Sequence, residues 1–191
     1  MVRLFATTAV VTVGLVVGPA AFAQPANPNL PGGAPAATAA KDALNQHDKE
    51  FVKKAGMGGL AEVEFSRIAE KSTNPDVKRF ADRMVQDHTG VNAELASLAT
   101  RLGAEIPKVL DAEQQRIRER LQTMHDSALD REYMRVMVED HNAAVKLFHR
   151  QSSSGQNAEL TQFAQRALPT LEDHQKMAVE LSRRLSQTAA R

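Results

Sequence analysis

The sequence predicts an all-α protein, an up-down four-helix bundle with one short connecting helix between the second and third long helices. From residue 41 onward the chain is rich in Ala, Leu, Glu, Lys, Arg and Gln, which have high helix propensity. Tyrosine occurs once, tryptophan is absent, and no run of alternating β-branched residues is present. The pattern therefore favours helices throughout, in the lengths and order of a helical bundle.

The first two long helices are predicted to meet at Asn74-Pro75. Asparagine caps a helix well and proline suits its first position, so we expect helices at about 42–72 and 75–102. Gly103 then ends the second helix, because glycine readily adopts the left-handed conformation that follows a helix.

A short connecting helix and the third long helix follow. The connector is expected at about 111–123 and begins at Asp111, a good capping residue. Ser127 and Asp130 have the spacing of a capping box, which predicts the start of the next long helix. Gly155 breaks that helix shortly after its expected end near residue 153.

The last long helix is expected at about 157–187. It contains Pro169, which lacks the N–H group that would bond the preceding turn and therefore predicts a kink. Together these segments assign residues 41–188 to one helical domain.

Two different segments precede this domain. Residues 1–23 contain one basic residue, an apolar run and the ending Ala-Phe-Ala, the order of a cleavable secretory signal peptide rather than of a retained membrane anchor. We expect cleavage after Ala23, a mature chain without a stable membrane anchor, and a periplasmic or secreted location. Residues 24–40 hold four prolines and two glycines among small residues, which predicts a disordered Pro/Ala-rich linker.

Composition excludes several classes of function. The chain has no cysteine, so neither disulfides nor thiolate chemistry can occur. Without Arg3, basic and acidic residues number 23 each, so the mature chain has no net charge when histidine is neutral. This balance gives no basis for a nucleic-acid partner. A protein partner or a homo-oligomer stays open.

Three histidines follow an aspartate directly, in segments that nearly repeat. MVQDH ends at His88, MVEDH ends at His141, and LEDH ends at His174. In each helix the apolar residues step by alternating three and four, and the histidine lies within that apolar seam. The corresponding seam of the first helix contains Glu62 as its polar residue.

Helix positions place these four polar residues at one height in the bundle. Glu62 lies 13 residues before Pro75 and His88 lies 13 residues after it, so they face each other in an antiparallel pair. His141 and His174 are nearly symmetrical about the break at Gly155, with an offset of only a few ångströms at about 1.5 Å per residue. The sequence therefore predicts that the four side chains converge in one layer of the core.

Several segments together resemble a known family. They read FVKKAGMGGLAEVEFSRIAEKS, VKRFADRMVQDHTGVNAELASLA, DREYMRVMVEDHNAAVKLF and LPTLEDH, and they resemble the domain of unknown function 4142, exported bacterial proteins with a ferritin-like fold. The resemblance spans roughly residues 44–182 and implies a ferritin-like bundle, but it implies no established activity. The positions it carries over are Glu62, His88, Tyr133, His141, Pro169 and His174.

The main functional hypothesis is a site for one transition-metal ion. Imidazole and carboxylate ligands suit Zn, Fe, Mn or Cu without distinguishing among them. Each aspartate is rotated about 100° from the histidine that follows it, so it can bond a histidine on a neighbouring helix. The predicted ligands are Glu62, His88, His141 and His174, with Asp87, Asp140, Asp173 and Tyr133 as candidate hydrogen-bond partners around them.

Two-metal ferroxidase chemistry is disfavoured, because ferritin-like di-iron sites use Glu-x-x-His on two helices. Here the residue three positions before each histidine is Val85, Val138 or Leu171. No nucleophile motif, phosphate loop or glycine-rich cofactor fingerprint is present, so the sequence gives no basis for an enzyme. The alternative to a metal site is a buried Glu/His/Tyr network that only fixes helix packing, in a structural, interaction or envelope stress-protection protein.

Overall fold

The computed structural model describes residues 44–189, and the predicted signal peptide and linker lie outside the described residues. No strand is present in the described range. The prediction of an all-α bundle with one short connector is confirmed. The five helices are α1 (Gln46–Ala69), α2 (Pro75–Leu102), α3 (Ala112–Thr123), α4 (Asp126–Ser154) and α5 (Ala158–Ala189).

Most of the helix boundaries follow from capping residues. The Asn74 side chain accepts from two backbone N–H groups at the start of α2, and Pro75 occupies the first helical position, as predicted. Gly103 ends α2 with φ at 67°, in the left-handed region that glycine adopts without steric cost. Asp111 and Gln114 form a reciprocal capping box at the start of α3.

The prediction for the start of α4 is wrong. The helix begins at Asp126, after His125, and its N-cap makes no side-chain hydrogen bond. Asp130 turns into the core instead, where its carboxylate accepts a 2.5 Å hydrogen bond from Ser72 Oγ. Since Ser72 lies in the α1–α2 turn, this bond ties the start of α4 to that turn. Helix α5 continues through Pro169 without interruption.

The four long helices form a ring in which each packs on two neighbours. Helix α1 packs on α2 and α4, and α5 packs on the same two helices from the opposite side. The short α3 lies against α1 and α4. This arrangement leaves α1 opposite α5 and α2 opposite α4, as expected for an up-down bundle.

Apolar side chains fill the core in two halves. The first half lies near the α1–α2 turn and the second near the α4–α5 break, and each large buried apolar side chain stabilises the fold by about 1.5–3 kcal/mol. The first half includes Phe65, Phe80, Met84, Tyr133, Met137 and Leu181, and the second includes Phe51, Leu95, Val145, Phe148, Phe163 and Leu171.

A polar layer separates these two halves. On α2, His88 lies between Met84 of the first half and Leu95 of the second. On each of α1, α4 and α5 one buried polar residue likewise lies between residues of the two halves. We call Glu62, His88, His141 and His174 the histidine layer. All four are at most 3% exposed, so they lie at one level of the core as the seam positions predict.

A second buried polar cluster lies at the beginning of α1 and centres on Asp48, which is 1% exposed. One carboxylate oxygen accepts from Gln151 Nε2 at 2.7 Å and from the Gln156 N–H at 3.3 Å. The other accepts from Asn45 Nδ2 at 2.5 Å and from the Asn157 N–H at 2.9 Å. We call this cluster the Asp48 tie, because it fastens α1 to the α4–α5 break.

Candidate metal centre

Three helices each deliver one histidine to the centre of the histidine layer. His88, His141 and His174 come from α2, α4 and α5, and their ring centroids lie 5.2–5.6 Å apart. One nitrogen from each ring lies within 4.8 Å of the nitrogens from the other two. The three imidazoles are therefore close enough to bind one ion together.

The His174 ring is oriented by a carboxylate on the neighbouring helix. Its Nε2 lies 2.8 Å from Asp87 Oδ2, so this nitrogen donates to the carboxylate. Asp87 in turn accepts from Arg83 Nε at 3.3 Å, one turn earlier in α2. Because Nε2 carries the proton, the lone pair of a neutral His174 ring is on Nδ1.

The His141 ring is oriented by a backbone carbonyl on its own helix. Its Nδ1 lies 3.0 Å from the Met137 carbonyl oxygen, to which it donates. The opposite nitrogen, Nε2, is buried and has no hydrogen-bond partner among the described residues. A buried polar atom without a partner is uncommon and costs about 1–3 kcal/mol, so its retention points to an absent ligand.

His88 is oriented by Glu62. Its Nδ1 donates to Glu62 Oε2 at 3.0 Å, and its Nε2 lies 3.3 Å from His174 Nδ1. The second Glu62 oxygen is 3.6 Å from His141 Nδ1. Glu62 thus contacts Nδ1 of His88 and Nδ1 of His141, the nitrogens that carry protons, and it orients these rings. The remaining nitrogens of the three rings make no contact with Glu62, so it is placed beside the candidate ligand atoms and not among them.

These hydrogen bonds leave a recognisable donor set. Nε2 of His88 and Nδ1 of His174 face each other, and both carry lone pairs when the rings are neutral. Such a pair is repulsive unless a proton or a cation lies between the nitrogens. Metal-binding histidines commonly give their other N–H to a carboxylate or carbonyl, which is the arrangement of all three rings. The residues present therefore fit a single metal ion.

The charges and burial of the histidine layer favour one additional proton on its imidazole rings. Burial opposes ionisation of Glu62, but the charges of His88 and His141 outweigh it and lower the pKa of Glu62 to about 2. Burial also disfavours a charged His88, yet the Glu62 carboxylate prevails and raises the pKa of His88 above its usual value. Burial lowers the pKa of His174 to about 4 and also lowers that of His141. Of the three rings, His88 is therefore the one that holds an additional proton most readily, and a metal ion would compete with that proton.

Three residues predicted as partners of the histidines are placed elsewhere. Tyr133 is buried and bonds Ser66 Oγ at 2.8 Å instead of an imidazole. Asp173 accepts from Arg83 Nη2 at 2.8 Å on the outside of the bundle. Asp140 is half-buried and bonds no histidine, and burial together with Glu62 raises its pKa to about 7. Of the three predicted aspartates, Asp87 is the one that bonds a histidine.

Two features of the site were not predicted from the sequence. Arg83 holds both Asp87 and Asp173, and its position four residues before Asp87 was the available signal. A cavity of about 490 Å³ between α1 and α4 reaches Glu62 and His88. Its signal was the run of small residues at 55–59, AGMGG, which leaves little side-chain volume on that face of α1.

Comparison with known families places this helical domain. A model for the domain of unknown function DUF4142 matches residues 33–181, which include the entire histidine layer. The chain belongs to the DUF4142 family. The resemblance drawn from the sequence segments is thereby confirmed, and the histidine layer is part of the DUF4142 domain.

Two solved structures share the fold of this DUF4142 protein. A DUF305 fragment from Deinococcus radiodurans superposes with a TM-score of 0.63 at 16% identity, covering 73% of this chain and 98% of that one. A DUF305 protein from Streptomyces coelicolor, described as a "putative secreted protein", gives a TM-score of 0.62 at 16% identity, covering 73% and 92%. Identity this low shows the shared helical fold alone.

No curated protein matches this DUF4142 chain significantly. None of the helices within residues 44–189 combines the length and apolar character needed to cross a membrane.

Proposed function

We propose that this DUF4142 protein binds one transition-metal ion through His88, His141 and His174. The observation that carries the proposal is that one nitrogen of each ring contacts an acceptor, which is Glu62 for His88, the Met137 carbonyl for His141 and Asp87 for His174. Each ring keeps a second nitrogen for a cation, and the unpartnered Nε2 of His141 has no other use among the described residues. The ligand atoms would be Nε2 of His88, Nε2 of His141 and Nδ1 of His174.

The donor set favours zinc or copper over manganese and iron. Three neutral imidazoles suit Zn²⁺ and copper, whereas manganese prefers oxygen ligands and non-haem iron commonly uses two histidines with a carboxylate. The nearest carboxylate, Glu62, is engaged by the Nδ1 proton of His88. Three protein ligands leave a fourth position for water or another small ligand.

We also propose that the protein works outside the cytoplasm after removal of residues 1–23. The Ala-Phe-Ala ending before Gln24 supports this location, as does the similarity in fold to a Streptomyces coelicolor protein described as secreted. Intact-mass measurement of the exported protein should give a chain that begins at Gln24. A species that retains Met1 in the membrane fraction would contradict it.

Calorimetric titration of the chelator-treated protein with Zn²⁺ and with Cu²⁺ tests the metal site. We expect one ion per chain and a binding enthalpy that varies with the ionisation enthalpy of the buffer, because any proton that the ion displaces from the histidines is taken up by the buffer. His141→Leu and His174→Leu should abolish this binding. His149→Leu is the matched control, since His149 is exposed and bonds only Glu172.

The same titration distinguishes the alternative of a packing network. If no metal binds and no metal raises the melting temperature, the layer serves only to fix helix register. Binding that survives in His141→Leu and His174→Leu, or that disappears equally in His149→Leu, would place the metal at a different site.

A further inference from the structure

The cavity between α1 and α4 exists because small side chains face each other across these helices. Helix α1 contributes Ala55, Gly58 and Gly59, and α4 contributes Ala143 and Ala144. The resulting volume of about 490 Å³ lies within the range of about 300–1,000 Å³ found for pockets that hold small organic molecules. The space is therefore large enough for an organic ligand in addition to any metal ion.

The middle of this cavity is apolar. Most of the side chains that line it are apolar, and Asn92 of α2 and Gln114 of α3 are its uncharged polar side chains. A polar occupant would lose hydrogen bonds to water here without replacing them, whereas a hydrocarbon segment would gain from burial. The apolar lining residues are Val91, Leu95, Leu147, Phe148 and Leu171.

Charged groups of opposite sign lie at the two ends. Glu62 and Asp140 line the inner end, beside the histidine layer, and Lys146 and Arg150 line the exposed outer end. Along α4, Asp140 and Arg150 are separated by about 15 Å at 1.5 Å per residue.

The basic residues at the outer end differ in their pairing. Lys54 also lines this end but is paired with Glu50 at 2.5 Å. Within residues 44–188 we find no ion pair for Lys146 or Arg150. Lys54, and more weakly Arg150, lower the pKa of the Glu50 carboxyl at this end. Neither Lys146 nor Arg150 is fixed in a salt bridge within the described residues, so both can contact an anionic group at the mouth of the cavity.

We propose that the cavity binds an amphipathic organic anion, a carboxylate with a medium-length hydrocarbon chain. The carboxylate lies at Lys146 and Arg150, and the chain extends inward along the apolar lining. The inner end offers no unpaired cation to a carboxylate, because Glu62 engages His88, so the basic outer end fixes this orientation. Binding of this ligand is separate from the proposed metal binding, since the cavity residues that contact it require no metal ion.

Titration calorimetry of the metal-free protein with decanoate tests this proposal, with decanol as the uncharged comparison. We expect one decanoate per chain and binding of decanol weaker by about tenfold, because decanol cannot pair with Lys146 and Arg150. Equal affinity for both molecules would overturn recognition of the carboxylate. Absence of decanoate binding would overturn the whole proposal.

A substitution that fills the cavity locates the binding site. A Cβ atom at Gly58 would meet no atom within 4 Å, so Gly58→Leu can place its side chain in the cavity. Gly90→Leu is the matched control, since it has the same open surroundings on α2 but does not line the cavity. Both exchanges replace a helical glycine by a better helix former, so both variants should fold. Gly58→Leu should weaken decanoate binding more than tenfold and Gly90→Leu should not. Equal affinities in the two variants would overturn the assignment.

The charge at the mouth is tested by the double variant Lys146→Ala/Arg150→Ala. It should weaken decanoate binding by about tenfold, since exposed ion pairs contribute modestly, and it should leave decanol binding unchanged. The control is Lys176→Ala/Arg183→Ala, which removes the same charge from an exposed part of α5. If both double variants lost the same affinity for decanoate, the loss would be explained by the change in net charge, and the proposed contacts with Lys146 and Arg150 would be overturned. Because the titrations use metal-free protein, failure of metal binding and failure of carboxylate binding are separate outcomes.

Discussion

Two buried polar clusters of this bundle differ in how many of their hydrogen-bonding atoms have partners. In the Asp48 tie, each carboxylate oxygen accepts two hydrogen bonds from the chain, and the atom left over is the neutral amide oxygen of Gln151. In the histidine layer, Nε2 of His141 has no partner, and the nitrogens of His88 and His174 face each other at 3.3 Å. The side chains of Asp48 and Gln151 are as deeply buried as those of the histidine layer.

The difference teaches that burial alone does not distinguish a structural polar group from a ligand site. The chain itself supplies donors to both oxygens of the Asp48 carboxylate, so the charged group of this cluster needs no component from outside the chain. The histidine layer requires a proton or a cation from outside the chain to join its inward nitrogens. Substitutions in the Asp48 tie should therefore change the free energy of unfolding by the same amount with and without metal. Substitutions in the histidine layer should have effects that depend on whether metal is bound.

The largest expected effect is that of Asp48→Ala. The substitution leaves one buried and three part-buried donors without their acceptor, and we expect a loss of about 3–4 kcal/mol in the free energy of unfolding. Urea unfolding with and without zinc should give the same loss. Asp82→Ala is the control, since Asp82 is half-exposed, and should change stability by less than about 0.5 kcal/mol. A loss that depends on zinc would break the comparison.

His88→Leu should destabilise the metal-free protein by about 3 kcal/mol, because it leaves the buried Glu62 carboxylate without its hydrogen-bond donor. The double variant His88→Leu/Glu62→Met should recover much of this loss, since it removes both charged partners together. Urea unfolding of the two variants measures the difference. A double variant no more stable than the single one would show that Glu62 is not the cause.

His141→Leu should behave differently from His88→Leu within the same layer. It removes an unpartnered nitrogen and one bond to a carbonyl, so metal-free stability should change by about 1 kcal/mol or less. Zinc at a hundredfold excess over its dissociation constant should stabilise the wild type by about 2.7 kcal/mol and leave the variant unaffected. Melting curves with and without zinc check both statements. Equal responses to zinc would remove His141 from the site.

Asp87→Ala should weaken zinc binding by about tenfold to a hundredfold, because Asp87 orients His174 by accepting a hydrogen bond from its Nε2. Asp173→Ala is a close control, since Asp173 shares the partner Arg83 but bonds no histidine. Competition with a chelator of known affinity measures both dissociation constants. An effect of similar size in the two variants would assign it to Arg83 instead of His174.

The smallest expected effect belongs to a surface network. Hydrogen bonds from Arg135, together with the charge of Arg120, hold the pKa of Glu132 below its usual value of 4.5. Its contribution is therefore present above pH 4.5 and is lost as pH falls through the lower folded-state pKa. Glu132→Gln should cost about 0.5–1 kcal/mol at neutral pH and nothing in strong acid, by urea unfolding. A loss that persists in acid would contradict an electrostatic origin.

The sequence predicted the level of the histidines correctly because helix rise and seam position depend on spacing alone. Four residues at matching distances from the turns must meet if the helices are antiparallel, and Glu62 lies beside His88 as expected. Asn74, Gly103 and Asp111 were placed correctly at helix ends for a different reason, because the local residue type determines the backbone conformation there.

The sequence named Asp87 among several candidate partners of the histidines but did not predict which of the candidates would bond them, because that depends on side-chain direction and rotamer. Tyr133 reaches Ser66, and Asp130 reaches Ser72, although spacing alone fits a histidine partner or a helix cap equally well. The cavity was missed for a related reason. It results from small residues on two helices that are distant in sequence, and the contact between those helices becomes known only with the fold.

The position of the histidine layer between the two apolar halves has a consequence for cooperative unfolding. Every long helix passes through both halves, but the proposed metal ligands come from α2, α4 and α5, whereas α1 reaches the layer only through Glu62. A bound ion would therefore hold three helices together and leave α1 free to open separately. In amide hydrogen exchange, zinc should slow exchange at the centres of α2, α4 and α5 much more than in α1. The attachment of α1 would then depend on apolar packing and on the Asp48 tie, and its stability against local opening would be the part of the fold that zinc leaves unchanged.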